Sequence, residues 1–179
     1  MQLKTQTLAM AYNELASGTE EFRVAVGNFM NAFFLHYVEG RQELIDSPIQ
    51  IPVNATRDQL GWAAFCAGAA EYLAEKYDLT CPNWAHDLAY CMVEPWYIVP
   101  DAPQSMRKSF QETTPRPWKS RNVFCGDRVF VNQHPSSREP GSYTELQQRR
   151  KKRLSAMTPE AREAYLAQMA SKPRVTIVA

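Results

Sequence analysis

The feature that most restricts the fold of this chain is a stripe of large apolar side chains with helical spacing. Its members follow one another at steps of 4, 3, 1, 3 and 4 residues: Phe22, Val26, Phe29, Met30, Phe33 and Tyr37. This spacing puts them on one side of an α-helix and predicts a helix over about residues 19–39. Four further residues make the other side apolar: Val24, Phe34, Leu35 and Val38. A helix that is apolar on two sides is central in its domain or lies in an interface.

A second long helix is predicted over residues 56–77. Thr56 and Gln59 have the spacing of a capping box, in which the two side chains satisfy free N–H groups at the start of a helix. Small residues dominate its middle, at 62–70, and they allow another element to approach closely. We therefore expect the helix at 19–39 to pack against this stretch.

Shorter elements complete the predicted fold. The patterns favour further helices at about 5–17, 83–92 and 104–112. Two apolar, β-type runs around a Gly-Asp turn predict a hairpin over residues 122–131. The expected fold class is mainly α: a helical bundle with a short β-hairpin and a basic helical C-terminal arm.

Charge is divided unequally along the chain, although the net charge is only +1. Residues 1–100 carry 5 Lys and Arg against 12 Asp and Glu, a net charge of −7, whereas residues 101–179 carry 15 against 7, a net charge of +8. Such asymmetry indicates an interaction surface or tail. We expect three parts: a helical domain with a small β element at 1–131, a linker at 132–142, and a basic helical arm at 143–179.

The sharpest local feature is a run of five cations, the predicted binding residues of the arm: Arg149, Arg150, Lys151, Lys152 and Arg153. On a helix these side chains cover more than one turn. Cations placed near phosphates release bound counterions, so the run fits nucleic acid, and it fits an acidic protein surface equally well. Two other interpretations stay open, a solvated helix face and packing on the acidic N-terminal part of the same chain.

Hydropathy and cysteine usage favour a cytoplasmic protein with no membrane partner. The longest apolar stretch, 22–38, is interrupted by Arg23, Asn28, Asn31 and His36, so no segment reaches the roughly 20 apolar residues of a membrane span. The N-terminus lacks the apolar core of a secretory signal. In the cytoplasm the four cysteines are expected to be reduced: Cys66, Cys81, Cys91 and Cys125.

No sequence motif predicts a catalytic site or a cofactor. Cys81, His86 and Cys91 are spaced more widely than the ligand pairs of structural zinc sites, although whether they bind a metal stays open. The chain has no Gly-rich phosphate loop, no Gly-x-Ser-x-Gly elbow and no His-Glu-x-x-His motif. Arg128 and His134 have the Arg-x5-His spacing that some helical ribonucleases use. They are the candidate catalytic groups if the protein is an RNA-directed nuclease.

One part of the chain resembles a known family. The resemblance rests mainly on aromatic and proline positions: Trp62, Phe65, Ala70 to Ala74, Leu79, Pro82, Trp84, Pro95 to Tyr97, and Arg121 to Phe124. Over about residues 58–131 it is similar to a small bacterial domain of unassigned activity, linked to helix-turn-helix regulators and toxin–antitoxin-like loci. The resemblance implies a non-catalytic antitoxin or regulatory subunit and assigns no functional residues. Residues 1–55 depart from it because they show no helix-turn-helix pattern, and the basic arm is an addition.

These observations predict a non-enzymatic, cytosolic binding protein of bacterial origin, antitoxin-like or regulatory. Its helical body would bind a protein partner, and its arm would hold nucleic acid or an acidic surface. The alternatives are an RNA-directed toxin nuclease and an accessory protein of a phage or mobile element. Whether the chain forms a homo-oligomer through the apolar helix at 19–39 stays open.

Overall fold

The computed structural model describes residues 5–130 and Thr158. Contacts along the chain divide it into one unit of residues 1–130 and another of residues 131–179. The predicted linker at 132–142 and the five cations of the arm lie outside the described residues, as does the rest of the arm apart from Thr158. Within residues 5–130 the prediction of a mainly α fold is confirmed.

Six α-helices and two short strands form within residues 5–130. The helices are α1 (Leu8–Ser17), α2 (Phe22–Asn31), α3 (Arg41–Asp46), α4 (Arg57–Tyr77), α5 (Gln104–Thr113) and α6 (Arg116–Lys119). The strands are β1 (Trp96–Tyr97) and β2 (Val123–Phe124). Tighter and wider turns connect them: a π-helical turn at Ala32–His36 and 3₁₀ turns at Val38–Gly40, Asn83–His86 and Leu88–Tyr90.

Local sequence explains where α1 and α4 begin. The hydroxyl of Thr56 accepts the N–H of Gln59 at 3.2 Å, and the side-chain oxygen of Gln59 accepts the N–H of Thr56 at 2.9 Å. The predicted capping box of α4 is therefore confirmed. α1 begins after Thr7, whose hydroxyl accepts the N–H of Met10 at 3.2 Å. It ends at Gly18, where a φ of 69° suits a residue without a β-carbon.

The helix predicted at 19–39 is interrupted, which the apolar periodicity did not indicate. After α2 the backbone widens into the π-helical turn, in which Tyr37 donates its N–H to the carbonyl of Ala32 at 2.8 Å. The side chain of Arg41, from α3, donates from Nε to the carbonyl of Phe33 at 2.9 Å. A side chain thus satisfies a backbone acceptor at the place where the regular helix ends.

The helix predicted at 83–92 is wrong in type, whereas the one predicted at 104–112 is confirmed as α5. Residues 83–92 form two 3₁₀ turns instead, because Pro82 and Asp87 both adopt extended backbone. The Asp87 carboxylate then accepts the N–H of Ala89 at 2.9 Å and begins the second turn.

The hairpin predicted at 122–131 is also wrong, because β2 pairs in parallel with β1. The hydroxyl of Thr114 accepts the N–H of Cys125 at 3.0 Å and that of Gly126 at 2.7 Å. The Thr114 side chain therefore accepts the two backbone N–H groups that would otherwise be available to pair with a second hairpin strand. Phe130 then enters the core, where it is only 2% exposed.

The core is centred on α4, and indole rings cover its small residues. A β-carbon at Gly68 would overlap the ring of Trp118, and one at Gly61 would overlap the ring of Trp96. The indole N–H of Trp118 donates to the carbonyl of Phe65 at 2.9 Å, which holds the ring in place. The small side chains of α4 therefore make room for tryptophans from distant segments.

The expected packing of the predicted helix 19–39 against residues 62–70 needs correction. α2 does reach this stretch, through the ring of Phe22, which stacks on Trp62 with centroids 5.5 Å apart. The backbones that lie along α4 are instead those of α1 and α6. Gln59 of α4 donates from Nε2 to the carbonyl of Ala16 at 2.8 Å, which joins α4 to the end of α1.

Candidate functional site

The site residues predicted from the sequence fall mostly outside the described part of the chain. This holds for the five cations of the arm and for His134. Arg128 lies within the described residues and is exposed, whereas its predicted partner, His134, lies outside them. Cys81 is half-buried, whereas His86 and Cys91 are exposed. Across residues 5–130, no three His, Cys, Asp or Glu side chains form a grouping that could hold a metal ion.

Within the same residues, no helix combines the length and the apolar character that crossing a membrane requires.

α2 and the turns after it expose aliphatic side chains to solvent. Residues 24, 28, 31, 35 and 38 succeed one another at steps of 4, 3, 4 and 3, and all five are exposed. Three of them are large and apolar, and we call them the exposed strip: Val24 (42% exposed), Leu35 (43%) and Val38 (41%). Three of the four residues of the second apolar side that the sequence indicated are therefore exposed, whereas the fourth, Phe34, is buried.

The π-helical turn contains both buried rings and one residue of the exposed strip. Phe33 and Phe34 are adjacent, yet both are buried, at 0% and 3% exposure. Their ring centroids are 5.1 Å apart and both rings contact Tyr77. Leu35 comes next and faces solvent. Single π turns are frequent at functional sites, and here the turn lies directly beside a cleft.

One wall of the cleft is formed by the segment before α1 and by Glu14 of α1, and the other by the end of α2 and the π-helical turn. Its volume is about 410 Å³. Polar residues predominate in its lining: Thr5, Gln6, Glu14, Asn28, Asn31, Ala32, His36 and Tyr37. We call it the polar cleft. Asn28 and Asn31 belong both to this cleft and to the exposed face of α2, so the cleft and the exposed strip adjoin.

Two side chains at the cleft are held in a fixed relation. Gln6 is only 4% exposed, and its Nε2 donates to Oε2 of Glu14 at 2.7 Å. None of the Lys, Arg or His side chains in residues 5–130 forms an ion pair with Glu14. The amide oxygen of Gln6 likewise receives no hydrogen bond within that range. The cleft therefore presents a carboxylate and an amide oxygen as open acceptors.

The segment that supplies the cleft lining is acidic as a whole. Residues 5–56 hold six acidic side chains against two cations, a net charge of −4. One of the cations, Arg41, lies 5.1 Å from the Phe33 centroid and 4.6 Å from the Tyr77 centroid. Tyr37 donates from its hydroxyl to Glu43 at 2.7 Å, and this hydrogen bond raises the pKa of Tyr37. The cleft is suited to a cationic group with several N–H donors.

A second groove lies beside α5, with a volume of about 680 Å³. One of its two cations, Arg107, is already engaged by the protein itself. Arg107 donates to the carbonyls of Pro100 at 2.7 Å and Ala102 at 3.0 Å, and its guanidinium lies 4.9 Å from the ring centroid of Tyr97. Gln111 donates to the Tyr97 hydroxyl at 2.7 Å. This groove has fewer open polar groups than the polar cleft.

The sequence did not predict the cleft, although some of the residues that line it stand out in the apolar pattern. Asn28, Asn31 and His36 interrupt an otherwise apolar helix, and their helical spacing puts the two asparagines on one face. Nothing in the pattern indicates that Gln6 and Glu14 lie opposite them. That juxtaposition depends on how α1 packs on α2.

Comparisons with protein-family models, with curated proteins and with solved structures find no match for this chain. The resemblance of residues 58–131 to a bacterial domain of unassigned activity stays a prediction.

Proposed function

We propose that this protein is a non-enzymatic binding protein, antitoxin-like or regulatory, whose helical domain docks a protein partner on the exposed strip. The observation that carries the proposal is that Val24 of α2, Leu35 of the π-helical turn and Val38 of the following 3₁₀ turn are each about two-fifths exposed. Exposed apolar patches that are rimmed by polar residues mark interaction sites. Burying them against a partner removes apolar surface from water, which favours association.

The flanking charges support a partner with complementary chemistry. Glu20, Glu21 and Glu39 are exposed near the two ends of the strip. Acidic residues around an apolar centre favour a partner with basic residues around its own apolar contact. The proposal keeps a second role for the cations at 149–153, which would bind nucleic acid or another acidic surface.

The experiment compares two double variants of the full chain. Val24→Asp with Leu35→Asp introduces charge into the exposed strip. Val53→Asp with Val93→Asp is the matched control, since both of these valines are almost fully exposed elsewhere on the surface. A partner is first captured on wild-type protein from nuclease-treated lysate and is then purified for affinity measurement.

We expect the strip variant to bind the purified partner at least 10-fold more weakly, and the control to bind like the wild type. Circular dichroism would verify that both variants fold. Equal affinity of wild type and strip variant would contradict the proposal. Loss of all capture after nuclease treatment would also contradict it, because the bound molecule would then be nucleic acid.

Expression of the intact protein alone tests the nuclease alternative. Harmless expression is expected of a binding protein. Growth arrest that His134→Ala abolishes would instead favour an RNA-directed enzyme.

A further inference from the structure

We propose that the polar cleft receives the guanidinium group of an arginine on the docked partner. This inference rests on the proposed function, because the cleft adjoins the exposed strip on which the partner would lie. It identifies the partner as a polypeptide segment that carries an arginine next to apolar side chains.

The first argument is the state of Glu14. Its carboxylate is held by the buried amide of Gln6 at 2.7 Å, yet no cation of residues 5–130 pairs with it. An acceptor whose position is already fixed loses little conformational freedom when a ligand binds. A cation that enters the cleft therefore finds a preorganised acceptor.

The second argument is the number and type of the acceptors. The Oε1 atom of Gln6 receives no hydrogen bond from residues 5–130, although the residue is 4% exposed. Asn28 and Asn31 add two side-chain amides on the opposite wall. A guanidinium carries five N–H donors in a planar fork and accepts nothing, so it can serve a carboxylate and neighbouring amide oxygens together. An ammonium has three donors and matches this set less well.

The third argument is electrostatic. The net charge of −4 over residues 5–56 favours the approach of a cationic group to this side of the domain. Its two cations do not compete for the cleft: Arg23 does not line it, and Arg41 lies over the rings of Phe33 and Tyr77.

The test uses N-acetyl-arginine amide as the probe, with N-acetyl-citrulline amide as its uncharged counterpart of nearly equal shape. Each is titrated into the full-length, isotope-labelled protein, and NMR follows the side-chain NH₂ signals of Gln6, Asn28 and Asn31. We expect saturable shifts with the arginine probe and at least 5-fold weaker binding of the citrulline probe. N-acetyl-lysine amide is expected to bind more weakly than the arginine probe.

Glu14→Gln should weaken arginine binding at least 5-fold, whereas Glu20→Gln, which makes the same change in net charge outside the cleft, should not. Unchanged NH₂ signals in the wild type, or equal loss in both variants, would overturn the inference. The Val24→Asp, Leu35→Asp protein separates the two proposals, since it should lose the partner and still bind the arginine probe. If the strip variant loses affinity for the partner but the wild-type protein does not bind the arginine probe, only the assignment of the cleft is refuted.

Discussion

Arg121 and Glu71 form an ion pair inside the domain, with Nη1 of the arginine 2.6 Å from Oε2 of the glutamate. The two residues are only 5% and 8% exposed. The other terminal nitrogen of Arg121 donates to the carbonyl of Ala85 at 2.6 Å, so one guanidinium ties α4 to a 3₁₀ turn. Arg116 adds a second cation, 3.2 Å from Glu71.

Replacement of Arg121 by Met should destabilise the domain by about 3–5 kcal/mol, because Glu71 would keep a buried charge with only one, more distant, cation. Urea unfolding followed by circular dichroism measures the change. Arg57→Met is the control: the Arg57–Glu94 pair is exposed and 3.9 Å long, and its loss should cost about 0–1 kcal/mol. Similar losses of unfolding free energy in the two variants would show that burial does not determine how much the Arg121–Glu71 pair contributes to stability.

Gly68→Ala should destabilise the fold by about 1–3 kcal/mol, since the added methyl group would overlap the ring of Trp118. Gly27→Ala in α2 is the matched control, because a β-carbon there meets nothing within 4 Å. The higher helix propensity of alanine should make that variant more stable by up to about 1 kcal/mol. Thermal unfolding distinguishes the expected destabilisation from the expected stabilisation. A Gly68→Ala protein more stable than the wild type would contradict the packing of the Trp118 indole against α4.

Arg41→Met should loosen the π-helical turn, because it removes the hydrogen bond to the carbonyl of Phe33 and the cation contact with Tyr77. The amide of Tyr37, which closes the turn, should then exchange its hydrogen faster in deuterated water. Arg23→Met removes an exposed cation of the same region and should leave that exchange rate unchanged. If the Tyr37 amide exchanged at the wild-type rate in both variants, Arg41 would not be what stabilises the π-helical turn.

The cysteines should react with iodoacetamide in an order set by burial. Burial raises the pKa of Cys125 to about 12 and also raises the pKa of Cys66, so at pH 8 neither thiol offers appreciable thiolate. Burial also raises the pKa of the half-buried Cys81. Mass spectrometry should find Cys91, which is exposed, modified first. Modification of Cys66 in the folded protein before Cys91 would contradict the described packing.

Replacement of the five cations at 149–153 by Gln should change the salt dependence of any binding to double-stranded nucleic acid. Each cation engaged with a phosphate contributes about 0.9 to the slope of log affinity against log salt concentration, so the slope should become shallower by up to about 4.5. Filter binding at several salt concentrations measures it. An unchanged slope would exclude these residues from phosphate contact.

Several elements could be predicted from the sequence because their causes are local. The helix at 56–77 begins with a capping box formed by Thr56 and Gln59, which are three residues apart. α1 and α5 follow equally from short-range spacing. The apolar second side of residues 19–39 was also visible in the pattern, but not whether it would be buried.

Other expectations failed where a side chain from a neighbouring element intervened. The hairpin at 122–131 did not form because the hydroxyl of Thr114 took the N–H groups of Cys125 and Gly126. The helix at 19–39 was interrupted where Arg41 bound the carbonyl of Phe33. Apolar periodicity carries no information about such hydrogen bonds.

The amino-acid sequence by itself determined that the chain is mainly helical, where α1, α4 and α5 lie, and how charge is divided along it, because these depend on neighbouring residues. Tertiary structure decided what covers the small residues of α4, which side of α2 faces water, and that Gln6 and Glu14 share a cleft with Asn28 and Asn31. The hydrogen bond from Trp118 to Phe65 joins residues 53 positions apart. Contacts over such distances depend on the packing of whole elements, and local patterns do not encode them.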